Sequence, residues 1–432
     1  MIDTRVSYKN SEEMLERALK SIPLGTQTFS KSKTQYPLGV SPFYIQRAKG
    51  SKVWDIDGNE YIDFISALGS ISLGYNDEDV LKAVKAQLEE GTIFSLPHPI
   101  EVQVAEKMIE LIPGAEMVRF GKNGSDATAG AVRLARAYTN RDYVAVCGYH
   151  GWQDWYIGST PRNLGVPKAT QELTLKFEYN NIESLNKLFK EYPDKVACVI
   201  MEPMNFEHPE GDFLNNVKEL AHKNGALLIF DETVTGFRYS LGGAQELFNV
   251  IPDLSTFGKG MANGYPISAV VGRADIMKLM EEIFFSFTFG GETLSLAASL
   301  ATMTKMQNKP VIETIKKSGQ KLLDGITKII DENELNDIFH IGGQPTWTIL
   351  GMKDTEKYCS WTLKTLFLQE MLKRGILTLG SHETTYAHSD EDIDKLLKSY
   401  HEVMPILKNG IRNERVIELL DCNPLTPLFK VR

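Results

Sequence analysis

A single lysine, Lys259, lies between two glycines in the stretch 255–264, with apolar runs on both sides. Glycine has no Cβ atom, so the backbone can turn sharply there and a flat ligand can approach it closely. A lysine held in a dry pocket has a lowered pKa, and its amine becomes a nucleophile. Such an amine forms a Schiff base with an aldehyde such as pyridoxal 5'-phosphate (PLP). Taken alone, however, Gly-Lys-Gly is more typical of an ordinary loop lysine.

A second candidate site is the start of the predicted helix that follows Asn123-Gly-Ser-Asp. Free backbone N–H groups, a serine hydroxyl and the positive end of a helix dipole together bind phosphate. Gly124 and Ser125 are therefore candidate phosphate-binding residues. The simpler alternative is that Ser125 only caps the helix.

A third candidate is Asp231, which ends an apolar run that reads as a strand. Ligands of open α/β sheets lie beyond the carboxyl ends of strands. A carboxylate there can keep a pyridine nitrogen protonated, which makes the ring an electron sink. The alternative is that Asp231 and Glu232 are solvated loop acids, and Glu232 could equally pair with Arg238.

A fourth candidate is Gly148-Tyr-His-Gly-Trp152, which follows another predicted strand. Aromatic residues between glycines at a strand end can stack on a flat ring, although such residues more often only pack. His150 has no acid or second histidine nearby in the sequence, so we do not predict a metal site. The four features occur in order, each at an α/β junction, and chance would rarely supply them all.

The elements that must position these residues alternate along the chain from about residue 100 onward. Amphipathic stretches such as 181–192 and 213–224 separate short apolar runs, and this alternation predicts an α/β protein. Apolar runs of this kind suit strands buried on both faces of a parallel sheet. The runs are 144–147, 197–201, 227–230 and 267–271.

The change in pattern along the chain predicts its domain organisation. We expect residues 76–310 to form a large domain with a mainly parallel sheet flanked by helices. Residues 311–432 are expected to form a smaller α+β lobe that ends in an irregular tail, and residues 1–75 to be an N-terminal segment belonging to the same lobe.

Composition excludes several classes of function. The chain has 432 residues and a net charge of −9, which argues against a nucleic-acid partner. Its four cysteines, Cys147, Cys198, Cys359 and Cys422, form no CxxC pair, so zinc and a disulfide framework are not expected. We find no apolar run long enough to span a bilayer and no signal core at the N-terminus. We expect a soluble cytoplasmic protein without a membrane partner.

Taken together, the motifs resemble those of the class III aminotransferases of PLP fold type I, particularly the branch that contains glutamate-1-semialdehyde aminomutase. The resemblance extends from about residue 25 to 394. The motifs that carry it are Asn123-Gly-Ser-Asp-Ala-Thr, Tyr149-His-Gly, Met201-Glu-Pro, Asp231-Glu-Thr-Val-Thr-Gly-Phe-Arg238 and Phe257-Gly-Lys-Gly.

The resemblance implies a role for each candidate residue. Lys259 would form the Schiff base with PLP and then move protons, and Asp231 would pair with the pyridine nitrogen. Gly124 and Ser125 would hold the phosphate, and Tyr149 would stack on the ring. Thr288 matches the threonine that reaches the phosphate of the neighbouring subunit, which implies a homodimer with shared active sites.

Three departures from the family pattern fall at substrate-contacting or active-site positions rather than at the cofactor anchors. Thr233 stands where the family usually has valine after Asp-Glu, which changes the contact on the second face of the ring. Lys31 aligns with an aminomutase arginine and cannot reproduce its two-pronged grip on a carboxylate. The late aminomutase segment Gln-Phe-Glu-Ala has no clean match in 380–388.

We therefore expect an aminotransferase that moves an amino group from an amine or amino-acid donor to a carbonyl acceptor. The first alternative is an intramolecular aminomutase of the glutamate-1-semialdehyde type, which needs no separate acceptor. A second is a PLP-fold scaffold without catalysis. Decarboxylation and racemisation also remain open, since they share the same first step with the cofactor.

Overall fold

The computed structural model describes residues 7–204 and 206–426. Its strands, numbered in chain order, are β1 (Ile45–Lys49), β2 (Lys52–Asp55), β3 (Glu60–Asp63), β4 (Met117–Gly121), β5 (Tyr143–Cys147), β6 (Thr174–Lys176), β7 (Val196–Met201), β8 (Leu227–Asp231), β9 (Leu254–Phe257), β10 (Ser268–Gly272), β11 (Phe339–Gln344), β12 (Trp347–Met352), β13 (Ile376–Leu377) and β14 (Ser381–His382).

The longer helices alternate with these strands through much of the chain. They are α1 (Lys9–Ala18), α2 (Glu78–Glu90), α3 (Pro99–Leu111), α4 (Gly124–Thr139), α5 (Ile182–Glu191), α6 (Phe213–Lys223), α7 (Thr293–Asn308), α8 (Val311–Glu332), α9 (Ser360–Lys373) and α10 (Asp390–Arg412). Single helical turns occur at Asp154–Ile157, Lys168–Gln171, Ala244–Leu247, Lys259–Ala262 and Ala274–Met277.

The described residues divide into two compact units. We call 69–72, 78–204 and 206–312 the large unit, and 7–68, 73–77 and 313–426 the small unit. The predicted irregular tail is described only as far as Thr426, and residues 427–432 lie outside the described part of the chain.

The large unit contains a seven-stranded sheet, counted over the described residues, in the order β4-β10-β9-β8-β7-β5-β6. Strands β5, β7 and β8 are parallel, as expected from their apolar runs, and β6 and β9 extend the parallel set on either side. Every residue of β7 and β8 is buried, because apolar clusters cover both faces of the sheet. The prediction of an α/β fold of PLP fold type I is confirmed.

One strand was predicted wrongly. The run 267–271 was expected to join the parallel sheet, but β10 is antiparallel to both of its neighbours, β4 and β9. A fully apolar strand reads the same in either direction, so its composition does not reveal its orientation. Its connection does: only residues 258–267 separate β9 from β10, and a parallel crossover needs about a dozen residues or more.

The small unit contains two further sheets within its described residues. One has the order β1-β2-β3-β13, in which β13 pairs in parallel with β3 and Ile376 lies opposite Ile62. The other has the order β11-β12-β14. A separate apolar core packs α8, α9 and α10 together with these strands, and it includes Leu322, Phe367 and Leu396.

Because β8 is buried throughout, truncation of its largest side chain should destabilise the large unit. We expect Phe230→Ala to lower the free energy of unfolding by about 3–5 kcal/mol, since Phe230 has no exposed surface. Leu164→Ala removes a fully exposed side chain and should cost less than about 0.5 kcal/mol. Denaturant unfolding of both variants checks this, and equal midpoints would contradict the assigned burial of β8.

Candidate active site

The centre of the candidate site is the carboxylate of Asp231, the last residue of β8. It is 4% exposed, so the alternative of a solvated loop acid is wrong. Its Oδ1 accepts hydrogen bonds from the hydroxyl of Thr256 on β9 and from the N–H of Thr233, both at 3.1 Å. Its Oδ2 lies 2.8 Å from Nδ1 of His150.

His150 is the residue that sequence reasoning missed, since the acid that it contacts, Asp231, is 81 residues away in the sequence. Only β7 separates β5, which precedes His150, from β8, which carries Asp231. The carboxyl ends of parallel strands share one edge of a sheet, and this rule could have paired the two residues. The other ring nitrogen of His150, Nε2, lies 3.1 Å from the carbonyl oxygen of Cys147.

Both ring nitrogens of His150 therefore face oxygen acceptors. A backbone carbonyl can only accept, so Nε2 carries a proton. An ionised carboxylate also only accepts, so Nδ1 carries a second proton when Asp231 is charged. Burial alone would raise the pKa of Asp231, but the hydrogen bond and the charge of His150 hold it below its ordinary value.

Glu232 stands next to Asp231 and is also fully buried, so it is not a solvated acid either. Its carboxylate accepts hydrogen bonds from the N–H groups of Ala244 and Gln245, at 2.7 Å and 2.8 Å, and from the hydroxyl of Thr235. Burial raises the pKa of Glu232, and these hydrogen bonds oppose the rise. Glu232 thus connects the end of β8 to the start of the helical turn Ala244–Leu247.

The start of α4 follows β4 and lies next to Thr233. The cap of this helix is formed by Asn123 and Asp126, since Asp126 Oδ2 accepts from the Asn123 N–H at 2.8 Å. The alternative role of Ser125 as the cap is therefore wrong. Its Oγ instead accepts from the N–H of Trp152 at 3.2 Å. A Cβ on Gly151 would lie only 2.2 Å from this Oγ, so Gly151 allows the close approach.

The segment after β5 is held in place by Glu202, the first residue after β7. Its Oε2 accepts from the N–H of Tyr149 at 2.9 Å. The ring of Tyr149 packs edge-on against Tyr156 at a centroid distance of 5.6 Å and remains partly exposed. Glu202 belongs to the motif Met201-Glu-Pro, and its position directly after β7 is the signal that points to it.

Lys259 begins the single turn Lys259–Ala262 that follows β9, and it is half-buried. Its φ is +39°, in a backbone region that residues other than glycine rarely adopt. Strained backbone of this kind is concentrated at functional sites. Its neighbour Gly258 lies beside Thr233, because a Cβ on Gly258 would be 3.5 Å from Thr233 Cγ2.

The structure therefore brings several of the predicted residues to one region of the large unit. Thr233 connects them, since a Cβ on Gly124 would lie 3.0 Å from Thr233 Cγ2. Thr288 lies in the exposed segment 286–289.

This fold is that of PLP-dependent transaminases. The structure superposes on the PLP internal aldimine form of the FumI protein of Sphingopyxis sp. MTA144 with a TM-score of 0.87 and 27% identity, covering 95% of this chain and 100% of that one. A family model described as aminotransferase class-III matches residues 35–404. The chain belongs to the class III aminotransferases and is an enzyme of that family with PLP as cofactor.

Relatives in the family differ in activity. The chain is 34% identical over 416 residues to 3-aminobutyryl-CoA aminotransferase of Cloacimonas acidaminovorans (strain Evry), covering 94% of this chain and 99% of that one. It is equally 34% identical over 416 residues to glutamate-1-semialdehyde 2,1-aminomutase of Methanosphaera stadtmanae, covering 90% and 96%. The similarity therefore supports both an aminotransferase and an aminomutase.

The residues of the site fit PLP. Asp231 is a buried carboxylate kept ionised, as a protonated pyridine nitrogen requires. The start of α4 offers backbone N–H groups and the Ser125 hydroxyl to a phosphate. Gly124 leaves space that a Cβ would fill against Thr233, and the Oγ1 atom of Thr233 is buried without a hydrogen bond among the described residues.

The His150–Asp231 pair predicts a change in acid stability. The folded-state pKa of Asp231 is depressed, so its stabilising contribution is present above its unfolded pKa and is lost as pH falls through the folded pKa. His150→Asn keeps a donor but removes the charge, so the folded pKa rises and the loss begins at higher pH. We expect the acid unfolding midpoint of the apoprotein, followed by fluorescence, to move up.

His222→Asn is the matched control. His222 Nε2 also lies 2.8 Å from a buried carboxylate, that of Asp253, but Arg273 contacts the same carboxylate at 2.8 Å and keeps it paired. The acid midpoint of this variant should move less. Equal shifts in the two variants would show that His150 does not hold Asp231 in its charged form.

Proposed function

We propose that this protein is an aminotransferase that takes an amino group from an amine or amino-acid donor and passes it to a separate carbonyl acceptor. The observation that carries the proposal is the buried Asp231, whose pKa is lowered and which ends β8 opposite Thr256, shortly before Lys259. When bound, PLP supplies an aldehyde and a ring that withdraws electrons from the carbon bearing the amino group.

In this proposal each residue has one task. Nζ of Lys259 would hold the cofactor, would later take the proton from the carbon that bears the amino group, and would deliver it to the former aldehyde carbon of the cofactor. Asp231 holds the ring nitrogen protonated, and His150 keeps Asp231 charged. Gly124 and Ser125 bind the phosphate, while Tyr149 packs against the ring. The strained φ of Lys259 supports its role, since it fixes the direction in which the side chain leaves the backbone.

Glutamate-1-semialdehyde aminomutation is the second candidate, because a relative with that name matches as well as one named aminotransferase. Lys31 argues against it, since lysine cannot grip a carboxylate in the bidentate manner of arginine. The two candidates differ in one requirement: only the aminotransferase needs a second substrate.

Transfer of ¹⁵N from labelled amine donors to a carbonyl acceptor tests the proposal. We expect the acceptor to gain the label, and Lys259→Ala to slow transfer about 10²–10⁴-fold, the usual effect of losing a proton-transfer group. Lys168→Ala, in an exposed helical turn, should leave the rate unchanged. Conversion of glutamate-1-semialdehyde without any acceptor, and no labelling of acceptors, would favour the aminomutase instead.

We also propose a homodimer in which Thr288 reaches the phosphate of the neighbouring active site. Support comes from an apolar surface of the large unit, defined by Phe94, Leu96, Val102, Phe284 and Phe289. Leu96 is 80% exposed and Phe284 84%, which is unusual for side chains of this size. These residues come from two segments, 94–102 and 284–289. The segments adjoin, because the N–H of Thr293 donates to the carbonyl oxygen of Thr92 and Gly291 lies against Glu101.

Charged substitutions on this apolar surface should separate the subunits. We expect the double variant Leu96→Glu, Val102→Glu to sediment as a monomer, because two buried charges without partners would oppose association. Leu164→Glu changes a fully exposed leucine and should leave the dimer intact. Wild-type protein that sediments as a monomer at micromolar concentration would refute the dimer.

A cytoplasmic location is part of the same proposal. Among the described residues no helix combines the length and the hydropathy needed to span a bilayer. Cys147, Cys198, Cys359 and Cys422 are free thiols, which suits a reducing compartment.

A further inference from the structure

Thr233 has a position that none of the roles above explains. It follows Asp231 and Glu232 directly, and its N–H donates to Asp231 Oδ1 at 3.1 Å. This hydrogen bond holds the backbone of Thr233 next to the carboxylate.

The side chain of Thr233 fills the space between two glycines of the candidate site. A Cβ on Gly124 would lie 3.0 Å from its Cγ2 and 3.3 Å from its Oγ1, and a Cβ on Gly258 would lie 3.5 Å from its Cγ2. Gly124 begins α4, and Gly258 precedes Lys259. Thr233 thus touches the backbone on both sides of the space assigned to the cofactor.

The hydroxyl of Thr233 is buried and forms no hydrogen bond within the described residues. The hydroxyl is close enough to Asp231 to help lower the pKa of that carboxylate. The geometry between Oγ1 and the carboxylate oxygens is nevertheless not that of a hydrogen bond. A buried hydroxyl without a partner is destabilising, and valine has the same shape without that penalty. A group that binds between Gly124 and Gly258 would supply the missing partner.

We infer that the Thr233 hydroxyl is a hydrogen-bonding contact for bound PLP, in addition to the residues proposed above. The inference rests on the proposed position of PLP next to Lys259 and Asp231. The oxygen atoms of PLP are acceptors, so the hydroxyl donates to one of them. Thr233 then strengthens cofactor binding in the holoenzyme and costs stability in the apoprotein.

The chain offers a matched control in Ser268 on β10. Its Oγ is also buried without a hydrogen bond among the described residues. Its Oγ faces Gly121, at 2.9 Å from the position of a Cβ there, while its Cβ lies 3.9 Å from the position of a Cβ on Gly258. Ser268→Ala therefore removes a similar unpaired hydroxyl that does not face Gly124.

The experiment measures two quantities for wild type, Thr233→Val, Thr233→Ser and Ser268→Ala. One is the melting temperature of the apoprotein, and the other is the dissociation constant of PLP, from fluorescence quenching during reconstitution. For Thr233→Val we expect the apoprotein to melt at the same or a higher temperature. Its dissociation constant for PLP should rise about two- to tenfold, which corresponds to one hydrogen bond.

The controls separate a cofactor contact from a structural role. Thr233→Ser keeps the hydroxyl and should bind PLP more tightly than Thr233→Val, whereas Ser268→Ala should not change the dissociation constant. A lower melting temperature of apo Thr233→Val would overturn the inference, because it would identify Asp231 as the partner of the hydroxyl. Unchanged PLP affinity of Thr233→Val would overturn it as well.

Failure of the proposed function gives a different result. If PLP binds elsewhere, Lys259→Ala leaves its spectrum and affinity unchanged, and so does every Thr233 variant. If Lys259→Ala alters the cofactor spectrum while Thr233→Val does not change affinity, only the inference about Thr233 fails.

Discussion

A single buried negative charge, that of Asp231, constrains the whole carboxyl edge of the large sheet. Moving an unpaired carboxylate out of water costs several kcal/mol, so the charge persists only with partners. The partners come from three places: His150 from the loop after β5, Thr256 from β9, and the backbone of Thr233 from the turn after β8. The carboxylate can be satisfied only if these strands end level with one another.

The neighbouring acid shows that burial alone does not decide the state of a carboxylate. Asp231 and Glu232 are adjacent and equally removed from water, yet the pKa of the first is lowered and that of the second is raised. The difference is the positive partner, because the ring of His150 forms a hydrogen bond with Asp231, whereas the donors to Glu232 are neutral. Glu232 is held by neutral donors and serves the local fold, so two consecutive acids have separate tasks.

Periodicity and apolar runs were enough to predict the α/β class and the parallel strands β5, β7 and β8. They failed for β10, because a strand buried on both faces carries no sign of its direction. In the site, residues at or just after the ends of strands could be predicted from the sequence, and Asp231 and Tyr149 are two of them. His150 was missed because its acid is 81 residues away along the chain, and only the order of strands brings the two together. The assignment of the helix cap to Asn123 rather than Ser125 depended on backbone directions that sequence does not specify.

The pairing of β3 with β13 has a consequence for how the protein is made. Ile62 leaves the ribosome about 300 residues before its partner Ile376, and synthesis at about 5–20 residues per second makes this a delay of roughly 15–60 seconds. During that interval β3 has an open edge, and such edges recruit other chains. The large unit, apart from its first few residues, is continuous in sequence and can collapse during that time, whereas the N-terminal strands must await release of the C-terminal third. This architecture is therefore most vulnerable to aggregation in the nascent chain, before β13 has been synthesised, rather than in the finished fold.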